Sequence, residues 1–126
     1  MPLAMLVEDN AMNRKLLRDI MEIRFQVVEA ETAERALELL QEHRPDLLLV
    51  DLQLPGMDGL TLMRRLKQDP ATAAIPLVAI SAHAMQDDIN QALECGCAEY
   101  VTKPLVEDPF RFVDRMARLA GASPGP

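Results

Sequence analysis

Five short runs of apolar residues, LAMLV (3–7), FQVV (25–28), LLLV (47–50), LVAIS (77–81) and EYV (99–101), constrain this chain more than any other feature. They do not alternate with polar residues, so they read as strands covered on both faces. Between them lie segments with helical spacing, and strict alternation of the two implies a parallel sheet with helices on both sides.

The helical segments carry their own punctuation. In the first, Met12, Leu16, Ile20 and Ile23 are expected on one face, packed on the sheet, with Arg14, Arg18 and Glu22 elsewhere. The second is expected from Ala33 to His43, with Pro45 preventing continuation. The third runs from Leu60 to Gln68, before the Asp69–Pro70 breaker, and the fourth from Met85 to Glu94, where Gly96 can take a left-handed conformation. The last has an N-cap in Asp108, a proline at the first helical position in Pro109, and a stop at Gly121. One domain over 1–121, followed by a flexible tail at 122–126, is the expected organisation, and Met1 with the short tail favours a free-standing chain.

Composition removes several classes of function. Twenty acidic against thirteen basic residues give a formal charge of -7, which argues against a grip on nucleic-acid phosphates. No apolar run approaches the roughly 18 to 20 residues of a membrane span, and no signal peptide begins the chain, so a cytoplasmic protein is expected. Cys95 and Cys97 lack the further cysteines or histidines of a zinc site and read as small, partly buried thiols.

In open parallel sheets, ligands gather at the carboxyl ends of the strands. The first strand here ends in Glu8-Asp9, the third in Asp51, the fourth in Ser81-Ala82 and the fifth in Thr102-Lys103-Pro104. Each residue alone has a structural explanation, as a helix cap or a solvated loop charge. Together they place three carboxylates, a hydroxyl and a lysine on one rim. Carboxylates that close repel one another unless a cation neutralises them, and oxygen donors of this kind suit Mg²⁺. The metal and Lys103 would then offset the charge of an incoming phosphoryl group, leaving one carboxylate as nucleophile.

The segments LVEDNAMNRKLL, PDLLLVDLQLPGMDGL, IPLVAISAHAM and GCAEYVTKPL together resemble, in order and spacing, the receiver domain of two-component response regulators. The pattern is most similar to single-domain receivers that act as phosphorelay or cell-cycle switches. The resemblance implies a flavodoxin-like doubly wound (βα)5 sandwich with strand order 2-1-3-4-5. It also implies Asp51 as phosphoacceptor, charged by a histidine kinase or histidine phosphotransfer protein. Mg²⁺, or Mn²⁺ in its place, would be held by Asp9, by Glu8 through water, by Asp51 and by the backbone carbonyl of Gln53. Lys103 would contact the phosphoryl oxygens, Ser81 would move to hydrogen-bond them, and Tyr100 would turn inward as Ser81 moves. A cis bond before Pro104 is implied too, as is a downstream protein target bound through the face of the fourth helix, fifth strand and fifth helix.

Two departures stand out. MEIRFQVVEA lacks the glycine that commonly ends the first helix, so the turn there must close by fraying the last helical turn. Gln53 and His83 lie two residues beyond Asp51 and Ser81, at positions that flank the path of the hydrolytic water in this family and so tune phosphoryl lifetime. Gln53 also argues against a phosphohydrolase of the haloacid-dehalogenase type, which needs an acid there. A flavin carrier on the same architecture is disfavoured as well, since the loop after the first strand opens with two acids and aromatic residues are scarce.

Overall fold

In the computed structural model, which describes residues 1–83 and 85–121, five strand–helix units alternate along the chain. The strands are β1 (Leu3–Val7), β2 (Gln26–Ala30), β3 (Leu47–Asp51), β4 (Leu77–Ser81) and β5 (Glu99–Thr102). The helices are α1 (Ala11–Met21), α2 (Ala33–Leu39), α3 (Gly59–Gln68), α4 (Gln86–Glu94) and α5 (Pro109–Leu119). All pairings are parallel, in the order β2-β1-β3-β4-β5. The expected tail at 122–126 lies outside the described residues, among which no helix is long and apolar enough to cross a membrane.

The doubly covered sheet follows from the apolar runs. Along β1, Ala4 and Leu6 join a core completed by Leu17, Ile20 and Met21 of α1 and by Phe112, Val113 and Met116 of α5. Met5 and Val7 point the other way, into a second core built with α2, α3 and α4. Every residue of β3 and β4 is buried, which is why these two strands show no polar alternation. A leucine fully buried there contributes roughly 1.5 to 3 kcal/mol. Cys95 and Cys97 are free thiols buried in the second core, as anticipated.

The helix signals worked where side-chain chemistry sets them. Asp108 Oδ1 accepts from the amides of Phe110 and Arg111, with Pro109 next in line. Gly96 and Gly121 have φ of 99° and 77°, the left-handed stops expected after α4 and α5. The glycine-free end of α1 closes through Ile23 N–H to Ile20 O at 3.2 Å and Arg24 N–H to Met21 O at 3.0 Å, a tightening of the last turn with no positive φ.

Three expectations need correction. The buried stripe of α1 is Leu17, Ile20 and Met21, while Met12 is 82% exposed, Leu16 51% and Ile23 40%. Rotation of this helix is set by Asn10, whose Oδ1 caps the Asn13 amide, and by Arg14, which reaches back to the carbonyl of Glu8. Helix α2 ends at Leu39, before His43, because Gln41 and Glu42 donate to the carbonyls three residues back and draw the chain into turns. Strand β2 is shifted to Gln26–Ala30 by its register with β1, and as an edge strand it is only partly covered, so that Glu29 is tolerated in it.

Candidate functional site

The rim at the carboxyl ends of the strands is where backbone pairing brings the acidic residues together. Glu8 N–H continues the β1–β2 ladder by donating to Ala30 O at 3.0 Å, and Leu52 N–H does the same from β3 to Ile80 O at 2.9 Å. These bonds hold the Glu8 and Asp51 side chains below the surface, 1% and 4% exposed. Behind Asp51 the start of α3 comes so close that a Cβ on Gly59 would lie 2.5 Å from the Asp51 carbonyl oxygen. Only glycine fits that approach.

Lys103 answers both buried acids. Its backbone N–H pairs with Ser81 O at 2.8 Å, and its Nζ donates to Glu8 Oε1 at 2.7 Å and to Asp51 Oδ2 at 2.9 Å. The Lys103–Pro104 peptide is cis. The second Asp51 oxygen, Oδ1, accepts from the Gln53 amide at 2.9 Å. Burial pushes the Asp51 carboxyl up, but the Glu8 carboxyl, the Gln53 amide and Lys103 outweigh it and hold Asp51 below the usual carboxylate range. Glu8 goes the other way, raised to about 7 by burial and by its neighbour Asp51, against the opposing pull of Lys103. One proton is thus shared out unequally, leaving Asp51 the ionised partner.

Asp9 completes the acidic group from the exposed side. Oxygens of Glu8, Asp9 and Asp51 lie within 4.8 Å of one another, a spacing that three carboxylates and a single lysine cannot neutralise alone. A donor set made wholly of carboxylate oxygen suits a hard divalent cation such as Mg²⁺ or Mn²⁺, so the residues present fit one.

On the opposite side of Asp51 the rim is neutral. Ser81 is fully buried, and its Oγ accepts from Gln53 Nε2 at 2.8 Å and from the His83 amide at 3.0 Å. Gln53 Oε1 in turn accepts from the Ala82 amide at 3.3 Å. The half-buried Tyr100 donates its hydroxyl to the carbonyl oxygen of His83 at 2.5 Å, while the His83 side chain itself is exposed. All nine residues singled out in the sequence, from Glu8 to Pro104, therefore stand on one rim, and His83 enters it through its backbone.

Arg14 was missed. Its Nη1 donates to Glu8 O at 3.0 Å and to Asp9 O at 3.5 Å, and its guanidinium pairs with Glu29 and Glu31. A signal was available: a cation near the first turn of a helix opposes the helix dipole, which marks it as held there by something else.

Comparison with known proteins bears on this rim. A family model described as the response regulator receiver domain matches residues 4–113. The chain is 41% identical over 118 residues to a polar-differentiation response regulator, DivK, of Brucella anthropi, covering 93% of this chain and 94% of that protein. Among solved structures, a response regulator from Chloroflexus aurantiacus superposes with a TM-score of 0.88 at 27% identity, covering 95% of this chain and 98% of the other. The receiver domain of a sensor histidine kinase from Pseudomonas aeruginosa, described with a magnesium ion in its active-site cleft, shares the fold with a TM-score of 0.84 at 24% identity, over 96% and 98% of the two chains.

Proposed function

The chain belongs to the response regulator receiver domain family, and on that premise we propose that it is a cytoplasmic switch charged on Asp51 by a phosphohistidine donor. One observation carries the reading: Asp51 is buried at a strand end with Lys103 Nζ 2.9 Å from its Oδ2 and the carboxyl groups of Glu8 and Asp9 beside it, an arrangement a divalent cation would complete. An Asp51 carboxylate oxygen attacks phosphorus as the phosphorus–nitrogen bond of the donor breaks, and the electron pair leaves with the imidazole. Lys103 stays with the transferred oxygens and exchanges a carboxylate partner for a phosphoryl one.

Glu8, Asp9, Asp51 and the Gln53 carbonyl are the groups that would hold Mg²⁺, or Mn²⁺ in its place, with Glu8 acting through water. When bound there, the metal would supply positive charge to offset that of the phosphoryl oxygens. Arg14 steadies the backbone of Glu8 and Asp9 from behind.

Phosphorylation adds acceptor oxygens and negative charge next to Ser81. As Ser81 turns to donate to them, its contact with the His83 amide is given up, and the His83 carbonyl that holds Tyr100 moves with the loop. The altered surface is the face of α4, β5 and α5, where Leu93, Val106 and Phe110 are exposed and available to a protein target. The donor has its own seat, since Leu16, Leu17, Ile80, Pro104 and Leu105 line a hollow of about 330 Å³ that Lys103 also borders. Gln53, where a phosphohydrolase would carry an acid, supports a switch over a turnover enzyme.

Labelling from acetyl phosphate tests the reading directly. The wild-type chain takes up label only with Mg²⁺, and Asp51→Asn takes up none. Label persisting in Asp51→Asn at the wild-type level removes Asp51 from the role.

A further inference from the structure

Gln53 hydrogen-bonds both Asp51 and the hydroxyl of Ser81 proposed to answer it. Its main chain and its side chain do different things. The amide N–H binds Asp51 Oδ1 at 2.9 Å, while the carboxamide crosses to the end of β4. There Nε2 donates to Ser81 Oγ at 2.8 Å and Oε1 accepts from the Ala82 amide at 3.3 Å, a reciprocal pair at adjacent residues. Position 53 was expected to act on the path of hydrolytic water, but its side chain is engaged with the switch residue.

That engagement has a direction. Ser81 Oγ accepts from two donors, Gln53 Nε2–H and His83 N–H, and both contacts require the side chain to face Gln53 and the β4–α4 loop. Turning Ser81 toward a phosphoryl group on Asp51 breaks the first contact and loosens the Ala82 amide from the same carboxamide. Nothing about the resting acceptor needs these bonds, because Asp51 is already held by Lys103 and by the Gln53 main chain.

We propose that the Gln53 side chain is a latch that holds Ser81 in the resting position and sets how far the switch moves for a given degree of phosphorylation. The proposal rests on the reading of Asp51 as acceptor and Ser81 as its responding hydroxyl. Gln53 is a positioning residue in it, acting through Ser81. Two neutral hydrogen bonds, partly replaced by water when broken, correspond to roughly a five- to thirtyfold bias toward the resting state.

The test is a titration with beryllofluoride at saturating Mg²⁺, followed by the amide resonances of Ser81, His83 and Tyr100. Three chains are compared: wild type, Gln53→Ala, and Gln53→Met, which keeps the length of the side chain and removes its hydrogen bonds. Both variants are expected to half-saturate at about five- to thirtyfold lower beryllofluoride. Before any is added, their His83 and Tyr100 resonances are expected part-way along the line joining resting and saturated wild type. In a Ser81→Ala background, Gln53→Ala should have no such effect.

A wild type whose resonances ignore beryllofluoride defeats the underlying reading of Asp51. A responsive wild type with unchanged or weaker binding in both variants, and resting shifts that do not move, overturns the latch alone. If Gln53→Met behaves as wild type while Gln53→Ala does not, side-chain bulk is the cause and the latch is equally overturned. An effect of Gln53→Ala that survives in the Ser81→Ala background overturns the route through Ser81.

Discussion

The two sides of Asp51 are built from different interactions. On the β1 side, Lys103 is ion-paired with both Glu8 and Asp51, Asp9 stands beside them, and the Arg14 guanidinium holds the backbone carbonyl of Glu8, so that charged groups meet across a few ångströms of buried or half-buried space. On the β4 side, Ser81, Gln53, His83 and Tyr100 are joined by neutral hydrogen bonds, three of the four involving main-chain atoms of Ala82 or His83 in the β4–α4 loop. Charge pairs in a shielded site are costly to break, whereas neutral bonds at a rim are readily exchanged for water. On the proposed reading of Asp51 as acceptor, the difference fits presentation of Asp51 by the first side and response by the second.

The sharpest way to break that contrast is to remove the lysine. Lys103→Met leaves two buried carboxylates facing each other, and at pH 8 in chelator the variant should lose about 3 kcal/mol of stability in urea denaturation. Mg²⁺ should return part of that loss by taking over the neutralising charge. A variant within about 0.5 kcal/mol of wild type, the scatter of surface substitutions, would mean that charge does not hold this side together.

A smaller effect comes from the proton on Glu8. Its carboxyl is raised to about 7 from an ordinary 4.5, so between those values the folded chain binds more protons than the unfolded one. The sign is then fixed: the contribution is fully present below pH 4.5, and stability of the metal-free chain declines as pH rises toward and through 7. Asp51 is shifted the opposite way, and its influence is confined to pH values below the ordinary carboxylate range. Denaturation in chelator from pH 5 to pH 8 should show a loss of about 2 to 2.5 kcal/mol. Saturating Mg²⁺ should flatten or invert the slope, because metal displaces the proton. A flat profile in chelator would place Glu8 outside the shared-proton pair.

Much of the charged side could be read from the sequence, and less of the neutral side. Leu47 to Asp51 and Leu77 to Ser81 are central strands of a parallel sheet, buried on both faces, and so their limits coincide with the edges of their apolar runs. Charged residues at the ends of such runs are conspicuous for the same reason. Gln53 and His83 were placed at the rim by the family resemblance alone, because a polar residue in a loop is ordinary and the direction of a carboxamide is decided by what faces it across the sheet. The face of α1 was misjudged on similar grounds: Met12 and Leu16 fit a 3.6-residue period as well as Leu17 and Met21 do, and only the contacts of Asn10 and Arg14 choose between the two stripes. Arg14 itself looked like a surface cation until its carbonyl partners were placed.

The weakest perturbation should be the most informative about how separate the two sides are. Tyr100→Phe removes one hydroxyl and keeps the ring, which packs on the core beneath α4. The lost bond to the His83 carbonyl is a single neutral contact on a half-buried residue, so the expected cost is about 0.5 to 1 kcal/mol. That loss should be local, moving the amide resonances of His83 and the neighbouring loop. The proposed Mg²⁺ ligands are Glu8, Asp9 and Asp51, none of which touches Tyr100 through the bonds described, and half-saturation by Mg²⁺ should stay within about twofold of wild type, less than the 1.4 kcal/mol that a tenfold change represents. Coupling of even one hydroxyl to metal affinity by more than that would show that presentation and response are a single cooperative unit. Independence would show that the chain can hold its acceptor ready at full strength while its output surface waits on a few exchangeable hydrogen bonds.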